Sequence, residues 1–267
     1  METLSVHTPR PELLKMSLSG GPASKAWFQT VNELCDTETP KIAIDSSALV
    51  GSKLYETQRN DYTDAFKRHG LPDAMWLQHT PDSLLSPSFV EGTLAAADAL
   101  LVLGGSTDLL YKRWKRAGVV KTMTQAVLNG SVVACGGSAG AMIWFEQGYS
   151  DSGKYVCGPN QQWNYGLIES AGVLGALVTV HYSDTDAFGR LRSQGFKLSL
   201  DDNNRLCQRA IGLDSSAALY VNDGVMTVKD INPIGCNDNA NAYLYGSENE
   251  LQTLAPGSNL RLVASSE

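Results

Sequence analysis

The chain has 267 residues, enough for one large α/β domain without disulfide or metal staples. A net charge of −7 and an isoelectric point near 5.1 exclude a phosphate-backbone binder, which needs a basic face, so no nucleic-acid partner is expected. The cysteines Cys35, Cys135, Cys157, Cys207 and Cys236 are odd in number, scattered and without a C-x-x-C pair, which fits reduced thiols and excludes a disulfide frame or zinc site.

The N-terminus has neither a basic n-region nor an apolar h-region, and no apolar run reaches membrane-spanning length. The expectation is a cytoplasmic protein with no membrane partner, folded as a single domain over 1–267. Residues 1–11, with Pro9 and Pro11, read as a loose arm. A strand over 13–19 ends in Gly20-Gly21-Pro22, and 23–35 has helical spacing. These glycines form neither G-x-G-x-x-G nor G-x-x-x-x-G-K-[ST], so they do not mark a nucleotide loop. The alternation continues with a strand over 41–45, a helix over 56–68 closed by Gly70 and Pro72, a strand over 74–78 and a helix over 88–97.

Residues 99–103, Ala-Leu-Leu-Val-Leu, have the look of a strand buried on both faces of a parallel sheet, and they end in Gly104-Gly105-Ser106-Thr107. Lys112, Arg113, Lys115 and Arg116 mark the solvated face of a helix over 108–117, and a second helix over 119–128 stops at Asn129-Gly130. Next comes a buried strand over 132–135 that breaks sharply at Gly136-Gly137-Ser138-Ala139-Gly140, with its helix finishing over 142–146. Residues 148–165 read as a surface excursion. A strand over 177–180 ends in His181, a helix starts near Gly189, and a strand covers 210–214. Asn222-Asp223-Gly224 turns a hairpin between 218–221 and 225–228, and 241–245 and 260–263 read as edge strands. The repeated strand–helix alternation predicts an α/β fold: a doubly wound, mostly parallel sheet with helices on both faces, plus a C-terminal hairpin and edge strands.

The break at Ser138 fits G-x-S-x-G, where small neighbours let the chain fold back and push one hydroxyl out at the carboxyl end of a sheet. A helix beginning there aims free N–H groups and the positive end of its dipole at the same spot. A serine hydroxyl needs a base. His7 lies in the arm, His69 at a helix end and His79 in a loop, whereas His181 directly follows an apolar strand and reaches the same edge. Gly105, after a neighbouring strand, lets a backbone N–H join that of Ala139 in a two-donor oxyanion hole.

Leu-Val-Leu-Gly-Gly-Ser-Thr, then Gly-Gly-Ser-Ala-Gly-Ala, then an apolar strand ending in His and then Gly-Arg-Leu, in this order, resemble the peptidase E and cyanophycinase family of serine peptidases, whose fold is similar to the class I glutamine amidotransferase domain. The resemblance implies Ser138 as nucleophile, His181 as general base, Gly105 with Ala139 as oxyanion hole, and no cofactor or metal. It also implies that Arg190 lies in the substrate pocket, and Thr107 resembles the Gly-Gly-Asn-Thr of peptidase E, leaning towards a small peptide substrate. The family's glutamate after the 210–214 strand is missing, since the chain reads Gly212-Leu213-Asp214-Ser215-Ser216. Asp214 is the candidate acid, with Glu146 and Asp151 as substitutes. Thr185 and Ala187 stand where cyanophycinases carry further arginines. The expected activity is a serine dipeptidase or exopeptidase directed at acidic residues. The alternatives are a weakened relative that binds a small ligand or regulates a partner, a cyanophycinase-like isopeptidase, and an α/β-hydrolase, which shares the bend. The sequence does not fix the oligomeric state and is compatible with a homodimer.

Overall fold

The structure, a computed structural model, describes residues 2–21, 25–72, 74–78, 80, 83–157, 163–201, 206–231, 240–246 and 250–265. His79, Cys236, the expected helix start before residue 25 and part of the 148–165 excursion lie outside the described residues. In chain order the first half contains β1 (Thr3–Val6), β2 (Met16–Ser19), α1 (Lys25–Cys35), β3 (Ile42–Asp45), α2 (Ser52–Arg68), β4 (Met75–Trp76), α3 (Pro87–Ala96), β5 (Ala99–Val102), α4 (Thr107–Ala117) and α5 (Val120–Leu128). Then come β6 (Val133–Gly137), α6 (Ala139–Met142), β7 (Phe145–Ser150), β8 (Gly166–Glu169), β9 (Leu174–Val180) and α7 (Arg192–Ser199). The chain closes with β10 (Ala210–Leu213), β11 (Ala217–Asn222), β12 (Val225–Asp230), β13 (Ala242–Tyr245), β14 (Leu251–Leu254) and β15 (Asn259–Ala264).

Successive side chains on a strand point to opposite faces, and both faces of the central strands are covered. Ala99 and Leu101 of β5, with Val133 and Cys135 of β6, pack beneath Trp27, Phe28 and Val31 of α1 and Phe66 of α2. Leu100, Val102 and Ala134 face the other way, towards Val90 and Leu94 of α3, Trp114 of α4 and Met123 and Val127 of α5. This double burial is why the run over 99–103 is apolar at every position. The α4 start is fixed by Ser106, whose Oγ accepts from Leu109 N at 3.3 Å, and its end by Gly118 at φ +69°.

The central strands β4, β3, β5, β6 and β2 pair in parallel. Among the described residues the main path of the sheet runs β14-β13-β10-β9-β1-β15-β12-β11-β2-β6-β5-β3-β4, and off it β7 pairs with β8 and β9. No helix is long and apolar enough to cross a membrane among the described residues, and Cys35, Cys135 and Cys157 are free thiols.

Three expectations about the ends of the sheet are corrected. The N-terminal arm is not loose: Leu4 and Val6 of β1 are fully buried, and β1 pairs with β15 and β9 despite the nearby prolines. The helix after Ser138 stops at Met142, and the polar stretch over 145–150 is strand β7. Nor are the last strands edges, because β15 lies between β1 and β12, and β13 between β10 and β14. The hairpin forms as expected, with Asp223 and Gly224 both at positive φ, the conformation its two-residue turn requires.

In the sheet β9 is not the neighbour of β6. The chain leaving Ser138 runs through α6 into β7, which pairs in parallel with β9 at Phe145↔Leu174, Gln147↔Leu177 and Gly148↔Val178. That short route sets the carboxyl end of β9 beside the bend.

Candidate active site

Ser138 adopts φ +55° and ψ −118°, a strained conformation for a residue with a Cβ, typically worth about 1–3 kcal/mol. The flanking glycines are there because of contact distance. A Cβ on Gly136 would lie 2.2 Å from the Gly140 carbonyl oxygen, and one on Gly140 would lie 1.9 Å from that of Val102. The bend therefore presses directly on β5, and only hydrogen fits at either position. His181, just past β9, also has positive φ, +54°. Its Nε2 stands 3.1 Å from Ser138 Oγ.

The second ring nitrogen, Nδ1, lies 2.6 Å from Ser215 Oγ and 3.3 Å from Asp184 Oδ2, and Ser215 Oγ donates to the same Oδ2 at 2.9 Å. Hydrogen bonding to His181 holds the Asp184 carboxyl below its usual range, with a further contribution from Ser215. A neutral imidazole that donates from Nδ1 leaves Nε2 with a lone pair for the serine proton.

Asp214 is not beside the ring. Its Oδ1 accepts from Ser183 Oγ at 2.6 Å, and its Oδ2 accepts from Asn241 N at 3.3 Å and from Tyr243 OH at 3.2 Å. Burial pushes its pKa up against these bonds. The expectation for Asp214 as the orienting acid is corrected: consecutive residues past a strand end face opposite ways, so Ser215 turns to the imidazole and Asp214 turns away. The substitutes are engaged elsewhere, Glu146 with Cys207 and His7, and Asp151 with Arg192 and Lys154. Sequence reasoning missed Asp184, whose signal was a carboxylate three residues after the histidine. The turn that returns it is closed by Asp184 N donating to His181 O at 3.0 Å.

Gly105 has φ +146°, and a Cβ there would meet Ala48 O at 2.3 Å. Its loop lies against the bend, a Cβ on Gly104 being 3.4 Å from Ser138 Cβ. Ala139 opens α6, so its amide has no acceptor within the helix. Neither the Gly105 nor the Ala139 amide donates to another group among the described residues. The Gly105 loop is braced from beneath. Ser106 N donates to Ala48 O at 2.9 Å, and the preceding residues are tied to the fully buried Asp45. Its carboxylate accepts from Ser47 N and Oγ, Gln78 Nε2 and Trp114 Nε1.

Two cavities open on the Ser138–His181 pair. One, of about 330 Å³, is lined by Asp151, Lys154, Tyr155, Trp163, Tyr165, Asp184, Thr185, Asp186, Ala187 and Arg192. The other, of about 310 Å³, is bounded by Leu49, Leu54, Gln58 and Tyr62. A separate basic cleft of about 290 Å³ near Lys112, Arg113 and Arg116 includes neither Ser138 nor His181.

Arg190 is not among the residues lining these cavities. Its guanidinium pairs with Asp186 at 2.8 Å, donates to Trp163 O and stacks over Trp163 and Phe188. The arginine that lines the pocket is Arg192, two residues on. It is 6 % exposed, donates to Asp151 at 2.9 Å and to Val180 O at 3.0 Å, and has a buried Nε without a partner. Burial tends to raise the Asp151 pKa, but Arg192 and Lys154 together hold it below the usual range. Thr107 is buried with its hydroxyl towards Met142 Sδ, away from both cavities.

The model of peptidase family S51 matches residues 18–229. The chain belongs to peptidase family S51. The resemblance to peptidase E and cyanophycinase is thereby borne out. This S51 member is 33 % identical over 126 residues to the "uncharacterized peptidase YgaJ" of Bacillus subtilis (strain 168), a match over 47 % of this chain and 48 % of that protein. The match thus spans about half the length of the curated relative. Its fold is similar to that of a peptidase from an acI-B1 Actinobacterium, with TM-score 0.66, 16 % identity, and coverage of 93 % of this chain and 96 % of the other. It is also similar to a putative peptidase E protein from Listeria monocytogenes EGD-e, with TM-score 0.56, 18 % identity, and coverage of 82 % and 99 %. At these identities the structural likenesses carry the α/β fold with its largely parallel central sheet.

Proposed function

We propose that this family S51 member is a serine peptidase acting on small peptides, with Ser138 as nucleophile and His181 as general base. The observation that carries the reading is the 3.1 Å contact between Ser138 Oγ and His181 Nε2 beside two uncommitted backbone amides. As Ser138 Oγ attacks the scissile carbonyl, Nε2 takes its proton, and the amides of Gly105 and Ala139 stabilise the developing oxyanion. The proton then passes to the leaving amine as the C–N bond breaks. Water repeats the sequence on the acyl-enzyme and frees the hydroxyl.

The cavity of about 330 Å³ lies at the small end of ligand-pocket volumes and suits a dipeptide or a chain terminus. Arg192 and Lys154 supply the positive charge for an acidic side chain, which competes with Asp151 for them. Thr185 and Ala187 leave that wall without the arginines of a cyanophycinase, so small acidic peptides are the better substrate class. No cofactor enters this chemistry, and the location that goes with this reading is the cytoplasm.

The test is labelling by a fluorophosphonate probe together with hydrolysis of dipeptides that begin with acidic, neutral or basic residues. The reading requires labelling that disappears in Ser138→Ala, and turnover highest for the acidic set. Well-folded protein that does not label is the result expected of a binding or regulatory relative and overturns the reading. Preference for basic peptides overturns the substrate class alone.

A further inference from the structure

We propose that Asp184, working through the hydroxyl of Ser215, supplies the orienting carboxylate for His181, so that a two-residue relay stands where the family has a strand-end glutamate. The inference deepens the functional reading and rests on it for its catalytic meaning, but the relay itself is a matter of hydrogen bonds that can be measured separately.

Hydroxyl bookkeeping fixes the direction of the chain of bonds. Ser215 has one proton to give. Its Oγ lies 2.9 Å from a carboxylate oxygen that can only accept, so the proton points at Asp184. The Ser215 lone pairs then face Nδ1 at 2.6 Å, and the ring must donate there. That leaves Nε2 unprotonated towards Ser138, the tautomer a general base requires. If Nδ1 lacked its proton, it and the Asp184 oxygen at 3.3 Å would be two acceptors in contact. When Nε2 takes the serine proton, the imidazolium charge is met by the Asp184 carboxylate directly and across one hydroxyl. When Nε2 returns the proton to the leaving amine, the relay is back in its starting state.

Both members are fixed by backbone. Asp184 N donates to His181 O, and Arg192 N donates to Asp184 O at 3.1 Å, closing the turn from either side. Ser215 follows β10, whose end is anchored by Asp214 through Ser183, Asn241 and Tyr243. Asp214 thus belongs to the support of the relay. Of the charged groups, Asp184 is closest to the ring, while Asp151, Lys154 and Arg192 share its cavity. Because Asp151 is paired with Arg192 and Lys154, and Asp186 with Arg190, Asp184 is the carboxylate of this cavity left to answer the ring.

The experiment is an NMR titration of His181 in the full chain and in Ser138→Ala, each carrying Asp184→Asn, Ser215→Ala, Ser215→Thr or Asp214→Asn, with fold checked by circular dichroism. The rate of fluorophosphonate labelling is followed against pH in the Ser138-containing set. Asp184→Asn and Ser215→Ala are expected to move the His181 titration to lower pH and to lose the downfield Nδ1–H resonance. They slow labelling by roughly 10²- to 10⁴-fold, and their double variant is no slower than the worse single. Ser215→Thr keeps the hydroxyl and most of the rate. Asp214→Asn, which touches only the support of Ser215, moves the titration less than Asp184→Asn does. An unchanged titration in Asp184→Asn overturns the proposal, as does a shift in Asp214→Asn larger than that in Asp184→Asn. A harmless Ser215→Ala beside a damaging Asp184→Asn overturns the relay in favour of direct contact. Normal NMR shifts in a wild-type protein that never labels leave the hydrogen-bonded relay standing and sink the peptidase reading instead.

Discussion

Replacing Gly140 by alanine puts a methyl group 1.9 Å from the Val102 carbonyl oxygen and 2.6 Å from its carbon. An ordinary C···O contact is about 3.3 Å, so helix and strand must part by about 1.4 Å. β5 cannot give way easily, being held by parallel ladders to β3 on one side and β6 on the other. The four-residue helix α6 has to lift, carrying Ser138 and the Ala139 amide with it. Overpacking of this kind costs about 1–3 kcal/mol, and a rigid backbone carbonyl as the obstacle places it at the upper end. For a chain of this size about 3 kcal/mol lowers Tm by roughly 6–10 °C. A displacement near 1 Å in the reacting groups removes roughly 10²-fold in rate. The assay is calorimetric Tm together with the second-order rate of fluorophosphonate labelling. The control is Gly92→Ala in α3, where nothing lies within 4 Å of the new Cβ. That substitution is expected to raise stability by about 0.5–1 kcal/mol and to leave labelling unchanged. If Gly140→Ala melts and labels like the parent, close packing of the bend on β5 is not what places Ser138, and the reasoning fails.

Two further outcomes follow from buried charge. Asp45→Ala strands the indole N–H of Trp114, the Gln78 amide and the Ser47 amide in the interior, so urea unfolding is expected to show a loss of roughly 3–5 kcal/mol. Labelling by the fluorophosphonate also slows, because the Ala48 carbonyl that holds the Gly105 loop loses its support; a midpoint equal to that of the parent counts against the brace. Asp151 has its pKa depressed when folded, so its stabilisation is present above the ordinary carboxylate value of about 3.9 and disappears as pH falls through the lower folded value. Asp151→Asn is therefore expected to weaken the protein at neutral pH, leaving Arg192 buried without its carboxylate, and to flatten the acid limb of stability against pH; parallel acid limbs in the two proteins contradict it.

The central strands and the bend were legible because their causes are local. Apolar residues at every position of 99–103 can only be covered on both sides, and Gly-x-Ser-x-Gly states its own contact distances. What was not legible depends on partners distant in sequence. β1 looks like an arm until β15 and β9 are beside it. The Phe-Glu-Gln-Gly-Tyr-Ser of β7 looks like the end of a helix and a loop, because Gln147 and Ser150 are polar, yet both are buried in the sheet. The candidate site divides the same way. Ser138 and His181 were found from strand ends, but the residue that faces Nδ1 was not, since the one-residue difference between Asp214 and Ser215 is decided by where β10 stops. Asp184 needed the left-handed conformation of His181, which no residue type announces, and Arg190 came from its match to the family's Gly-Arg-Leu, which does not show that it is Arg192 that turns inward.

The route joining the two proposed reactive strands is a closed circuit. From β9 it passes by strand pairing through β1, β15, β12, β11 and β2 to β6, then along the chain through α6 into β7 and back by pairing to β9. β15 follows every other member of the ring in chain order, so the ring stays open until β15 has been made. Hydroxyl and imidazole emerge long before the segment that locks their spacing, and a nascent chain carries both without the finished frame between them.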